Sequence, residues 1–113
     1  MKIYLKKSFI EVPVKKLSLF GRFRGLMFRR RKNSEILLFN FEKPTKTIFH
    51  SLFCFFPFLI IWLDKENNVL ESRICKPFLL TIKSFYQFVK VIEIPINKKY
   101  KKLINEILDA RKV

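Results

Sequence analysis

The sequence predicts an α+β domain, mostly antiparallel β: a small barrel-like sheet with one helix after the first strand and a C-terminal helix. Three observations predict it. Short runs rich in Ile, Val, Phe and Leu are punctuated by prolines or polar clusters, the spacing expected of strands. Two other stretches carry apolar residues at roughly helical spacing. Hydrophobic residues make up 50% of the chain, with only 2 Gly and 5 Pro, which suits a buried core and excludes a disordered or linker-rich protein. At 113 residues there is room for one domain and one modest core. Residues 1–113 are therefore read as a single domain, folding alone or with one copy of itself.

The elements follow in order. Residues 2–12 read as a first strand, ending at Pro13. In 15–28, Leu17, Leu19, Phe20, Phe23, Leu26 and Met27 recur at helical spacing among basic residues. Gly21 and Gly25 weaken that helix by about 1 kcal/mol each relative to Ala. Arg29–Lys32 with Asn33 and Ser34 is a loop, and residues 35–42 are a strand closed by Lys43-Pro44. Leu52–Leu63 carries no charge, but a membrane-spanning helix needs about 20 apolar residues. Pro57 interrupts the run, and His50 and Asp64 bracket it. Two short buried strands broken at Pro57 fit it better.

Asp64–Asn68 is a polar turn, in which Asn67 or Asn68 takes the left-handed conformation a hairpin needs. Val69–Cys75 is the returning strand. Residues 86–96 form another, with Phe88, Ile92, Ile94 and Ile96 on one face, Val89 and Val91 opposite, and Lys90 as an interruption. Asn97 caps a final helix whose apolar stripe is Tyr100, Leu103, Ile104, Ile107 and Leu108.

Charge bounds the partners. Lys and Arg number 24 against 9 acids, a net charge of +15. Such a balance attracts nucleic acid or another polyanion, anionic lipid heads, or acidic proteins. Phe, Lys, Ile and Asn are all abundant and all use AT-rich codons, so base composition accounts for part of the excess. Met1–Val12 alternates charged and apolar residues and has no apolar secretory segment. A cytoplasmic location follows as the expectation, with Cys54 and Cys75 as free thiols packed like small hydrophobes; a disulfide between them is the alternative, which spacing alone does not exclude.

No catalytic constellation is visible, and the expectation leans away from an enzyme. The chain has one histidine, His50, which with Cys54 and Cys75 supplies three possible metal ligands where a structural zinc site uses four. No metal and no cofactor are expected. Gly21 and Gly25 lack the Lys-Ser/Thr ending of a phosphate loop. An apolar setting would raise a thiol pKa rather than activate it. The nine acids are scattered, and no pair stands out as general acid and base.

The basic residues are better organised. From Val12 to Ser34 no acid interrupts Lys15, Lys16, Arg22, Arg24, Arg29, Arg30, Arg31 and Lys32, and Phe20, Phe23 and Phe28 are interleaved. Arginines beside aromatics suit stacking and phosphate forks. The plainer alternative is a helix that buries its Phe, Leu and Met face while its arginines stay in water. Lys98, Lys99, Lys101 and Lys102 open the last helix, where cations oppose its dipole.

The segment Arg24-Gly25-Leu26-Met27-Phe28-Arg29 resembles the GLM-x-R signature of the domain-of-unknown-function family 192. Further likenesses follow in order: Leu37-Leu38-Phe39 with Phe41, His50-Ser51 with Phe53, Pro57, Leu63-Asp64 with Val69, Lys76-Pro77-Phe78, and Val91-Ile92-Glu93-Ile94-Pro95. Together they run from about Lys15 to Ile96. The resemblance implies a compact β-rich domain and no particular activity. Two polar positions of the family's pattern, before and after its proline, are Phe55 and Leu59 here. Arg24 and Arg29 are thus the surviving candidates for a shared polar site.

The candidate binding residues are Arg22, Arg24, Arg29, Arg30, Arg31, Lys32 and Lys76. The expected role is a non-enzymatic binding module for an anionic partner, with nucleic acid favoured. The alternatives are peripheral association with an anionic membrane, and a small-molecule or enzymatic pocket formed near Arg24, Arg29, Asp64 and Lys76.

Overall fold

The computed structural model describes residues 1–18, 26–27, 35–50 and 55–110. Its frame is a five-stranded sheet in the order β3 (Lys15–Ser18), β5 (Leu37–Thr45), β9 (Phe88–Pro95), β7 (Phe58–Leu63) and β8 (Val69–Cys75). All neighbours are antiparallel except β3 and β5, which run parallel. Beside it lie the hairpin β1 (Lys2–Leu5)–β2 (Ser8–Glu11) and the short parallel pair β4 (Leu26–Met27) and β6 (Phe49–His50). One helix, α1 (Lys101–Ala110), closes the described chain. This is an α+β fold, mostly antiparallel, with its helix at the C-terminal end.

Strand β7 explains the layering. Its six residues, FLIIWL, are all buried, because both faces of the sheet are covered. Leu59, Ile61 and Leu63 face a layer built by Ile3 and Leu5 of the hairpin with Ile104 and Ile107 of α1. Phe58, Ile60 and Trp62 face an aromatic layer with Phe39, Phe49 and Phe88. The Phe88 ring lies 5.8 Å from that of Phe49 and 6.5 Å from that of Trp62, separations at which ring edges and faces attract.

Several expectations are borne out at residue level. The turn Asp64–Asn68 is present, and Asn67 takes the left-handed conformation with φ 67°. The Asn97 side chain accepts a hydrogen bond from the Tyr100 N–H at 3.1 Å and caps the start of α1. Tyr100, Ile104 and Ile107 are buried, as the stripe required.

Four expectations are corrected. The sheet is open, not barrel-like: β3 and β8 are its two edges and do not pair with each other. Its apolar faces are covered by the hairpin, the helix and the aromatic layer, so closure is not needed to bury them. The helix expected over 15–28 gives way at Lys15–Ser18 to a strand, because the Lys15 N–H donates to the Ile36 carbonyl at 2.8 Å and the chain runs on along β5. Leu26–Met27 is likewise extended beside Phe49–His50. The remainder of that stretch lies outside the described residues.

Residues 2–12 are a two-stranded hairpin, not one strand, turning at Lys6-Lys7 with Leu5 opposite Ser8. No Gly, Asn or Pro marks that tip, so the turn has no local signature. Phe88 joins the aromatic layer with Val91, not the face of Ile92 and Ile94. There β9 meets Thr45, beyond a register irregularity in β5 between Asn40 and Thr45.

Candidate functional site

Of the residues singled out in the sequence, Arg22, Arg24, Arg29, Arg30, Arg31 and Lys32 lie outside the described residues. So do Cys54 and the side chain of His50. Lys76 is exposed directly after β8. Asp64 and Lys76 do not share a pocket: β7 and β8 separate them, with Phe58 beside Cys75 at the Lys76 end and Leu63 beside Val69 at the other. Six strand residues at about 3.4 Å each put them roughly 20 Å apart.

Asp64 has a structural task. Its Oδ1 accepts the backbone N–H groups of Glu66 and Asn68, both at 2.9 Å, and its Oδ2 accepts the Asn68 side-chain amide at 3.0 Å. Partial burial works against its charge. The hydrogen bonds from Asn68 and Glu66, with the nearby Lys90 ammonium, outweigh that and hold its pKa below the usual carboxylate value. Lys90, the interruption in its strand, donates to Asn67 Oδ1 at 2.5 Å and so ties β9 to this turn.

Four other acids are similarly occupied. Glu11 binds the N-terminal ammonium at 2.7 Å, and Glu35 pairs with Lys15 at 3.3 Å. Glu71 pairs with Arg73 and also accepts the Phe85 N–H at 2.9 Å, pinning the following loop to β8. Glu93 is fully buried on the aromatic side of the sheet, between Leu37 and Ile60. Among the described residues no group of three or more His, Cys, Asp or Glu could hold a metal ion. Cys75 is buried at the end of β8.

Two described surfaces combine cations with exposed apolar side chains. The first is the hairpin. Alternation along β1 buries Ile3 and Leu5 and turns Lys2 and Tyr4 outward; Phe9, opposite Tyr4 on β2, shares that outer face. The two rings lie 6.5 Å apart, and the Lys2 ammonium sits 4.8 Å from the Phe9 centroid. A groove of about 580 Å³ runs beside them, lined by Tyr4, Lys6, Lys7, Phe9 and Asn68 among others. The Tyr4 N–H donates to the Asn67 carbonyl at 2.9 Å and anchors the hairpin to the β7–β8 turn. Sequence reasoning missed this site. Its signal is the alternation on either side of Lys6-Lys7, legible only once the run is divided there.

The second is the loop 76–87, which exposes Phe78, Leu80, Phe85 and Tyr86 beside Lys76 and Lys83. Phe78 has φ 64°, an unfavourable conformation for a bulky residue. Its ring meets that of Phe55 edge-on at 5.7 Å. No helix among the described residues is long and apolar enough to cross a membrane.

Comparison with known proteins adds the following. The model of the family DUF192, described as "Uncharacterized ACR", matches residues 7–104. No curated protein matches the chain. A similar fold is found in a crystal structure of a protein of unknown function from Novosphingobium aromaticivorans DSM 12444, with a TM-score of 0.54 and 22% identity. The likeness covers 71% of this chain and 59% of that one, and it is a likeness of fold alone.

Proposed function

We propose, from the premise that the chain belongs to the domain-of-unknown-function family 192, that it is a non-enzymatic binding module whose basic surface takes an anionic partner, nucleic acid above all. The observation that carries this reading is the fate of the acids. All nine lie among the described residues, and five of them (Glu11, Glu35, Asp64, Glu71 and Glu93) are buried, ion-paired or built into a turn. The 24 Lys and Arg outnumber all nine acids by 15, so the acids cannot neutralise them even if every one were paired, which supports a surface that carries positive charge outward. Phosphates arranged along a chain are the partner such a surface attracts best. Arg22, Arg24, Arg29, Arg30, Arg31, Lys32 and Lys76 remain the proposed contacts, joined now by Lys6 and Lys7.

The test is binding of a labelled RNA or DNA oligomer across a salt series. The expected result is affinity that falls steeply with salt, with a slope of several charges. Absence of binding at low salt would overturn the reading.

The loop 76–87 favours a second reading, peripheral contact with an anionic membrane. Leu80 is 74% and Phe85 78% exposed, and the same loop exposes Lys76 and Lys83. Apolar side chains among lysines suit a headgroup boundary. Co-sedimentation with vesicles that depends on anionic lipid supports it, and protein left in the supernatant ends it.

A further inference from the structure

We infer that the groove beside the β1–β2 hairpin is a binding site for single-stranded nucleic acid, in which Tyr4 and Phe9 stack on bases and Lys6 and Lys7 hold phosphates. The inference rests on the polyanion reading above and adds a place, a strandedness and a division of labour.

The arrangement meets the requirements of such a site one by one. A single strand exposes the faces of its bases, which a duplex hides within its own stack, so a protein selects it by offering flat rings at its surface. Tyr4 and Phe9 are 42% and 58% exposed although they are large apolar residues on an otherwise amphipathic hairpin. They are cross-strand partners, Tyr4 opposite Phe9, so the ladder fixes their spacing. The hairpin itself is anchored: Ile3 and Leu5 are buried in the core, the Tyr4 N–H is bound to Asn67, and the Met1 ammonium is bound to Glu11 and the Val12 carbonyl.

Cations complete the site. Lys6 and Lys7 occupy the hairpin tip and line the same groove as both rings. Lys2, opposite Glu11 on the ladder, lies over the Phe9 ring at 4.8 Å from its centroid, and the residues that line the groove include two lysines and no acid. Asn68, bridged to Tyr4 and lining the same groove, carries an amide that can both donate and accept hydrogen bonds. Its amide nitrogen is engaged with Asp64 Oδ2, which orients the side chain. A groove of about 580 Å³ has room for one or two nucleotides.

The experiment compares a labelled single-stranded DNA of about a dozen thymidines with a duplex of the same length, for the full chain and three variants. The wild-type protein is expected to bind the single strand more tightly than the duplex. Phe9→Ala is expected to weaken single-strand binding about tenfold and leave duplex binding unchanged. Phe9→Leu keeps an apolar side chain without a ring and should bind as weakly as Phe9→Ala. Because Phe9 is exposed, thermal melting of both variants should match that of the wild type. Lys6→Gln with Lys7→Gln should reduce the log–log salt slope by about 1.4, at roughly 0.7 per phosphate contact.

If single strand and duplex bind alike and Phe9→Ala changes neither, the groove is not the site, while the wider polyanion reading stands. A Phe9→Leu variant that binds like wild type removes stacking as the mechanism. Failure of every oligomer to bind at low salt overturns both the wider reading and this one. Retention on anionic vesicles without oligomer binding does the same, and leaves the loop 76–87 as the active surface.

Discussion

Two sets of aromatic rings divide the molecule between them. Phe49, Phe88 and Trp62 are fully buried on one side of the central sheet, packed edge and face against one another. Tyr4 and Phe9 sit on the hairpin on the outer face of its ladder, one ring beside the other and a lysine above. The chemistry of the rings is the same. What differs is the cover: the inner rings are enclosed on both sides, whereas the hairpin rings stay 42% and 58% exposed. The inner set therefore contributes to folding and the outer set is available for binding. Each ring should fail in its own assay when removed.

The largest expected effect lies in the inner set. Phe88→Ala removes a ring that touches Phe41, Phe49 and Trp62, and should cost about 3–5 kcal/mol in denaturant unfolding. A loss below about 1 kcal/mol would mean that the aromatic layer relaxes around the cavity and is no true core.

Next comes the layer on the other side of the sheet. Ile107→Ala, in the buried face of α1, should cost about 2–4 kcal/mol by the same assay. A smaller loss would show that the helix contributes little to burying Leu59, Ile61 and Leu63.

A smaller effect is expected at the turn that carries the hairpin. Asp64→Ala removes three hydrogen bonds in an exposed setting and should cost about 1 kcal/mol near neutral pH. The Asp64 pKa is held below its ordinary value, so this contribution is present above the unfolded-state value of about 3.9. It is lost as pH falls through the folded-state pKa. The stability difference between wild type and Asp64→Ala should therefore shrink as the solution is acidified below about pH 4. A difference constant down to pH 2 would mean that the carboxylate charge plays no part.

The smallest effect on stability is predicted for Phe9→Ala, within about 0.5 kcal/mol of the wild type. A loss comparable to that of Phe88→Ala would place Phe9 in the core and end the contrast between the two sets.

Local signals carried much of the architecture. Asn97 followed by an apolar stripe at helical spacing is sufficient to start and orient α1, since both capping and amphipathicity act within a few residues. Asp64–Asn68 is legible as a turn because its hydrogen bonds close within five residues. The candidate site was less legible. Lys6-Lys7 has no turn chemistry, so nothing local announces that Tyr4 and Phe9 face each other across a ladder.

The sequence by itself determined the family, the apolar runs that become β5, β7, β8 and β9, the turn at Asn67 and the final helix. Tertiary structure alone decided that Lys15–Ser18 is a strand, that the sheet stays open, and that Phe88 leaves the face of Ile92 and Ile94. The physical reason is range. Caps, turns and stripes are settled by neighbours a few residues apart, while strand pairing and the side a ring faces depend on hydrogen bonds and cover supplied from distant parts of the chain. Lys15 finds its partner at Ile36, and Phe88 finds its own at Phe49.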